Sequence, residues 1–125
     1  MDERFEGDWP TLLRAPSTSL RSVFLGDPSD AAAGVVELVD LGDVPDAPTA
    51  GDGATSGFLL LSLTTDLDAA LARLRALGLG GEPRRVEAHG VGMAVVTDPD
   101  GVEVELIDDA AAADLRRLTG DGAAG

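Results

Sequence analysis

Cysteine, lysine and tyrosine are all missing from this 125-residue chain, and aromatic residues make up only 3 % of it. Without cysteine there is no disulfide, no thiolate metal site and no sulfur nucleophile, although the redox compartment stays open. Without lysine, tyrosine or cysteine, a general base has to come from a carboxylate, and His89, the one histidine, is expected at the surface. With few aromatics, the core has to be packed mainly by Leu, Val and Ala. No apolar run is long enough to span a bilayer, and the opening MDERFEGDWP is charged, unlike a secretory leader. A cytoplasmic location is expected. Basic residues are also scarce: nine, all Arg, against 23 acidic ones, for a net charge of −14. Such a surface repels nucleic acid and anionic membrane, because a polyanion needs clustered cations. Solubility is the simplest account of this charge. Adaptation to high salt and a GC-rich genome are the alternatives.

What is present suits one α+β domain: 44 % hydrophobic and 26 % charged residues, enough for one modest core. Residues 58–64 (FLLLSLT) predict a strand buried on both faces. A helix should follow, capped at Thr65, with Leu67, Ala70, Leu71, Leu74 and Leu77 at helical spacing and Gly78 ending it. Residues 84–88 and 91–97 read as strands joined by a tight turn at His89-Gly90. Asp98-Pro99-Asp100-Gly101 is a strong turn signal. The alternating strand 102–107 then sets Val102, Val104 and Leu106 on one face and Glu103, Glu105 and Ile107 on the other.

The first part of the chain repeats the end of that unit. Residues 22–27 (SVFLGD) lead through Pro28 to VVELVD at 35–40, much as residues 94–98 lead through Pro99 to EVELID at 103–108. Residues 9–15 are then the expected counterpart of strand 84–88, with only a helix end preceding them. The organisation expected is an incomplete first unit over 1–41, a Gly/Pro-rich linker over 42–57 and a second unit over 58–108. A short helix over 109–118 and a frayed tail complete the chain.

These stretches carry a resemblance. FLLLSLTTDLDAALARLRALGLG and VVTDPDGVEVELID resemble the opening and closing parts of the second half of a vicinal-oxygen-chelate domain, as in glyoxalase I, bleomycin-resistance proteins and extradiol dioxygenases. LRSVFLGDP and GVVELVDLG are similar to the end of the first half. The resemblance implies paired βαβββ units whose sheets cup a shared cavity, with the first strand and helix of the first unit absent from this chain. In metal-binding members, the ligands are His or Gln early in the first strand of each half and Glu on the last. Glu37 and Glu105 match the two Glu positions. Leu59 stands where the second-half His would be, and His89 falls in a turn instead.

Two functional expectations follow from the resemblance. The leading one is a metal-free, resistance-like module that holds a small molecule in a pocket lined by Leu59, Leu61, Trp9, Val35 and Val39. Trp9 is a candidate stacking surface, although a core or interface role suits it better. The alternative is a lyase, isomerase or dioxygenase in which Glu37 and Glu105 act as metal ligands or base. Two carboxylates suit Mg²⁺ or Mn²⁺ better than Zn²⁺, Ni²⁺ or Fe²⁺, which prefer imidazole. A third possibility is a remnant in which both Glu are ordinary sheet residues. The absent first strand leaves an open sheet edge, so either a homodimer or strand exchange is expected, or a natural chain that starts upstream of Met1.

Overall fold

In a computed structural model the described residues are 2–27, 29–30, 33–44, 57 and 59–110. They form β1 (Asp2–Glu6), α1 (Trp9–Leu13), β2 (Ser19–Leu25), β3 (Val36–Asp40), β4 (Leu61–Thr65), α2 (Leu67–Ala76), β5 (Gly80–Ala88), β6 (Val91–Thr97) and β7 (Glu103–Asp108). Two sheets result, in the orders β1-β2-β3 and β4-β7-β6-β5. All neighbours are antiparallel except β4 and β7. The second unit is therefore a complete βαβββ unit. Most of the linker, residues 45–56, and most of the expected C-terminal helix, residues 111–118, lie outside the described residues.

The repeat is visible in the pairing, but its counterparts differ from those expected. Residues 9–15 do not form a strand: Trp9–Leu13 is a helix. Asp8 caps it, its carboxylate accepting from the Thr11 amide, and Pro10 sits in the first turn, where its missing N–H is harmless. The strand matching β5 is instead β1, which pairs with β2 as β5 pairs with β6. Trp9 then folds back, with its indole N–H donating to the Phe5 carbonyl at 3.1 Å. A Cβ at Gly7 would come within 2.8 Å of the Trp9 ring, so the chain needs a glycine there. Among the described residues, β3 has only β2 as a strand neighbour, and the slot that β4 fills beside β7 has no counterpart.

The second unit follows local chemistry closely. Asp66, not Thr65, caps α2, accepting from the Ala69 amide at 3.0 Å. Gly78 adopts φ +67° just past the helix end. His89 and Gly90 both have positive φ, as a two-residue hairpin turn requires. The Asp98 carboxylate accepts from the amides of Asp100 and Val102, which locks the β6–β7 turn.

The apolar residues divide into two clusters. Trp9, Leu12, Ala15, Leu20 and Leu41 pack with Val86, Ala88, Met93 and Val95 between the two sheets. Leu67, Ala94, Val96 and Leu106 pack between the second sheet and α2. The alternation of β6 and β7 feeds both: odd-numbered residues face the first sheet, and even-numbered ones face α2.

Candidate functional site

Paired residues on neighbouring strands share a face, so the register shows where each candidate points. Glu105 lies opposite Val95 of β6 and Ser62 of β4, on the face turned to the inter-sheet core. Glu37 lies opposite Phe24, and two residues along β3 is Val39, which packs against that same core. Both carboxylates thus belong to the inward faces of their sheets. The Glu37 charge contributes to the perturbation of Glu105.

Each carboxylate accepts a hydrogen bond from a serine on the adjacent strand. The Ser22 hydroxyl donates to Glu37 at 2.6 Å, and the Ser62 hydroxyl donates to Glu105 at 2.5 Å. The site is one Ser–Glu pair per unit. Sequence reasoning missed both serines, although each is the one serine in a largely apolar run, LRSVFL and LLLSLT. Ser22 is fully buried and Glu105 is only 8 % exposed.

Burial pushes the Glu105 carboxyl above the usual carboxylate range. The Ser62 bond works against that rise, and repulsion by Glu37 adds to it. Burial raises Glu37 too, opposed by Ser22. Glu37 as a whole residue is nevertheless solvent-accessible. The nearby cations are engaged elsewhere. Arg84 and Arg14 bind Glu103 at 2.9 and 3.1 Å, and Arg84 also donates to the Leu12 carbonyl, fixing α1 to the second sheet.

The other sequence candidates separate. Leu59 and Val39 pack against the inter-sheet core beside the two Glu. Val35 is exposed just before β3. Leu61 does not share the face of Glu105. It pairs with Val104, and strand alternation turns it to the α2 side. Trp9 is a buried core residue, as its weaker role as a stacking surface would not require. His89 contacts the Glu6 carbonyl at 2.9 Å, in the turn and away from both carboxylates in sequence and register. A concavity of about 440 Å³ between β4 and α2 and a smaller one of about 210 Å³ by Arg21, Leu38 and Asp40 lie on other faces.

The donor set decides which metals could fit. Among the described residues there is no group of three or more His, Cys, Asp or Glu arranged to hold an ion. Two carboxylates and two hydroxyls offer oxygen alone, which does not suit Zn²⁺, Ni²⁺ or Fe²⁺. Chemically, the pair can accept hydrogen bonds and can hold or take up a proton.

Comparison with known proteins agrees with this architecture. The chain is 35 % identical over 115 residues to a lactoylglutathione lyase-like protein, terB, of Aspergillus terreus, covering 82 % of this chain and 58 % of that relative. It therefore spans little more than half the relative's length. No solved structure gives a significant match. The family model that matches covers residues 13–106, from the end of α1 into the Glu105 strand, and so takes in both Ser–Glu pairs. With a match over most of its length and a second unit of βαβββ form, the chain belongs to the glyoxalase/bleomycin resistance protein/dioxygenase superfamily.

Proposed function

We propose that this domain binds a small organic molecule in the hollow between its two sheets and holds no resident metal. One observation carries this reading: each inward Glu has a serine hydroxyl as its partner, and no imidazole is beside it. A carboxylate so held suits a ligand that offers hydrogen-bond donors, while Leu59, Val39 and Ile107 supply apolar wall. This makes it a resistance- or sequestration-like member; among the described residues no helix is long and apolar enough to cross a membrane. Elemental analysis tests the metal-free claim. The purified protein should hold no stoichiometric Mg, Mn, Fe, Ni or Zn, and Mg²⁺ or Mn²⁺ should leave its melting temperature unchanged. Stoichiometric metal that is lost in Glu37→Ala and Glu105→Ala would overturn it.

A second reading is favoured by the state of Glu105 and by the name of the lyase-like relative. A carboxyl lifted by burial and by a second carboxylate is suited to take a proton alpha to a carbonyl. On this reading Glu105 is the base, Ser62 orients it, and turnover of a 2-oxoaldehyde adduct would be abolished by Glu105→Gln.

A further inference from the structure

The glutamates of the inward faces are not treated alike. Glu103 and Glu105 sit two residues apart on β7, on the same face of the second sheet. Glu103 binds two arginines, Arg84 at 2.9 Å and Arg14 at 3.1 Å. The rest of the Arg84 guanidinium donates to the Thr11 and Leu12 carbonyls. Glu105 lies in one row across the sheet with Val95 and Arg84, yet it receives neither arginine. Among the described residues, a single serine hydroxyl serves each of Glu105 and Glu37. An ionised carboxylate has room for about four hydrogen bonds, so most of that capacity is open. Removing a carboxylate from water without a cation is unfavourable, and Glu105 is only 8 % exposed. Glu37, by contrast, can be reached from solvent.

We propose, on the reading of this hollow as a metal-free ligand site, that its ligand is an organic cation: a protonated amine carried on an apolar body. At Glu105 and Glu37 the ammonium does what the two guanidinium groups do at Glu103. It brings N–H donors together with a positive charge, which the serine hydroxyls lack. The Glu37 charge contributes to the perturbation of Glu105, so one cation can serve both carboxylates. Leu59, Val39 and Ile107 meet the apolar body. An anionic ligand is disfavoured, because both carboxylates repel it and Arg84 and Arg14 are already held by Glu103. A neutral alcohol can donate to the carboxylates but leaves their charge uncompensated.

Three probes of similar shape test this by titration of the full chain at neutral pH: phenethylammonium, phenethyl alcohol and phenylacetate. The ammonium should bind roughly tenfold tighter than the alcohol, and the carboxylate should not bind. In the double variant Glu37→Gln/Glu105→Gln, ammonium and alcohol should bind within about twofold of each other. Glu87→Gln removes one negative charge from the other face of the second sheet and should keep the wild-type preference. That control separates the hollow from the general pull of a −14 net charge. If the alcohol or the carboxylate binds as tightly as the ammonium, the cation proposal falls while the hollow stands as a ligand site. A preference lost equally in Glu87→Gln overturns it as well. Binding of none of the three also overturns it, and elemental analysis then shows whether the metal-free reading falls too. Should the double variant fail to fold, the wild-type ratio decides.

Discussion

At the scale of single residues, the two Ser–Glu pairs carry a stability cost that sets a sign for pH. Glu105 holds its proton more tightly in the folded chain than in the unfolded one, because burial disfavours its charge. Below the ordinary glutamate pKa both states are protonated and the folded state keeps the full benefit. As pH rises through the raised folded pKa, that benefit is lost. Glu105→Gln keeps an acceptor for the Ser62 hydroxyl and removes the charge. It should therefore raise the melting temperature at neutral pH, and the gain should shrink as pH falls toward the ordinary carboxylate range. A gain that does not change with pH would show that packing, not ionisation, is responsible. The inward aim of the Glu was legible from strand alternation. Their serine partners were not, because Ser62 meets Glu105 only through a parallel register linking residues 43 apart in the chain. Leu61 was misplaced for a related reason: a run of three leucines and a serine does not announce which of them faces inward.

At the scale of elements, the second unit was legible because its signals are local. Helical spacing marked α2, and the Asp-Pro-Asp-Gly turn marked the β6–β7 hairpin. The first strand was hidden because DERFE has a single apolar residue, and what holds it is backbone pairing to β2 and the packing of Phe5. The α1 signal was present in Asp8 and Pro10 but was outweighed by the analogy with β5. The load on α2 can be measured at Leu67, which is fully buried and fastens the helix to the second sheet. Its side chain fits close over Gly92, where even an added Cβ would come within 3.2 Å of it. Removing so buried a side chain leaves a cavity between helix and sheet, so Leu67→Ala should cost about 2–5 kcal/mol. Urea denaturation with an unchanged m-value would measure it. A loss below about 1 kcal/mol would mean that α2 is not held to the sheet as described.

At the scale of the whole molecule, net charge and the two inward carboxyls push in the same direction. A charge of −14 on 125 residues repels itself in the compact state, and protonating carboxylates relieves that repulsion. Glu37 and Glu105, both raised by burial, add stability as pH falls from neutral. The opposing groups are Asp2, lowered by its hydrogen bond from Arg21, and Asp27, lowered by Ser29. Stability from a depressed carboxylate is present above its unfolded pKa and is lost as pH falls through the folded value. Their losses therefore begin only once pH drops below the ordinary Asp range, beneath the window where the two Glu act. The melting temperature should accordingly rise from pH 8 into the mildly acidic range, pass a maximum, and fall only on further acidification. At fixed neutral pH, sodium chloride should raise it as well, because about 1 M salt shortens the screening length to about 3 Å and mutes repulsion between surface charges. Carrying out both scans on Glu105→Gln separates the contributions. The salt response, which belongs to the whole surface, should persist in that variant, while the acid-side rise should flatten. If the wild type is most stable at alkaline pH and insensitive to salt, neither the buried carboxyls nor the net charge governs its stability.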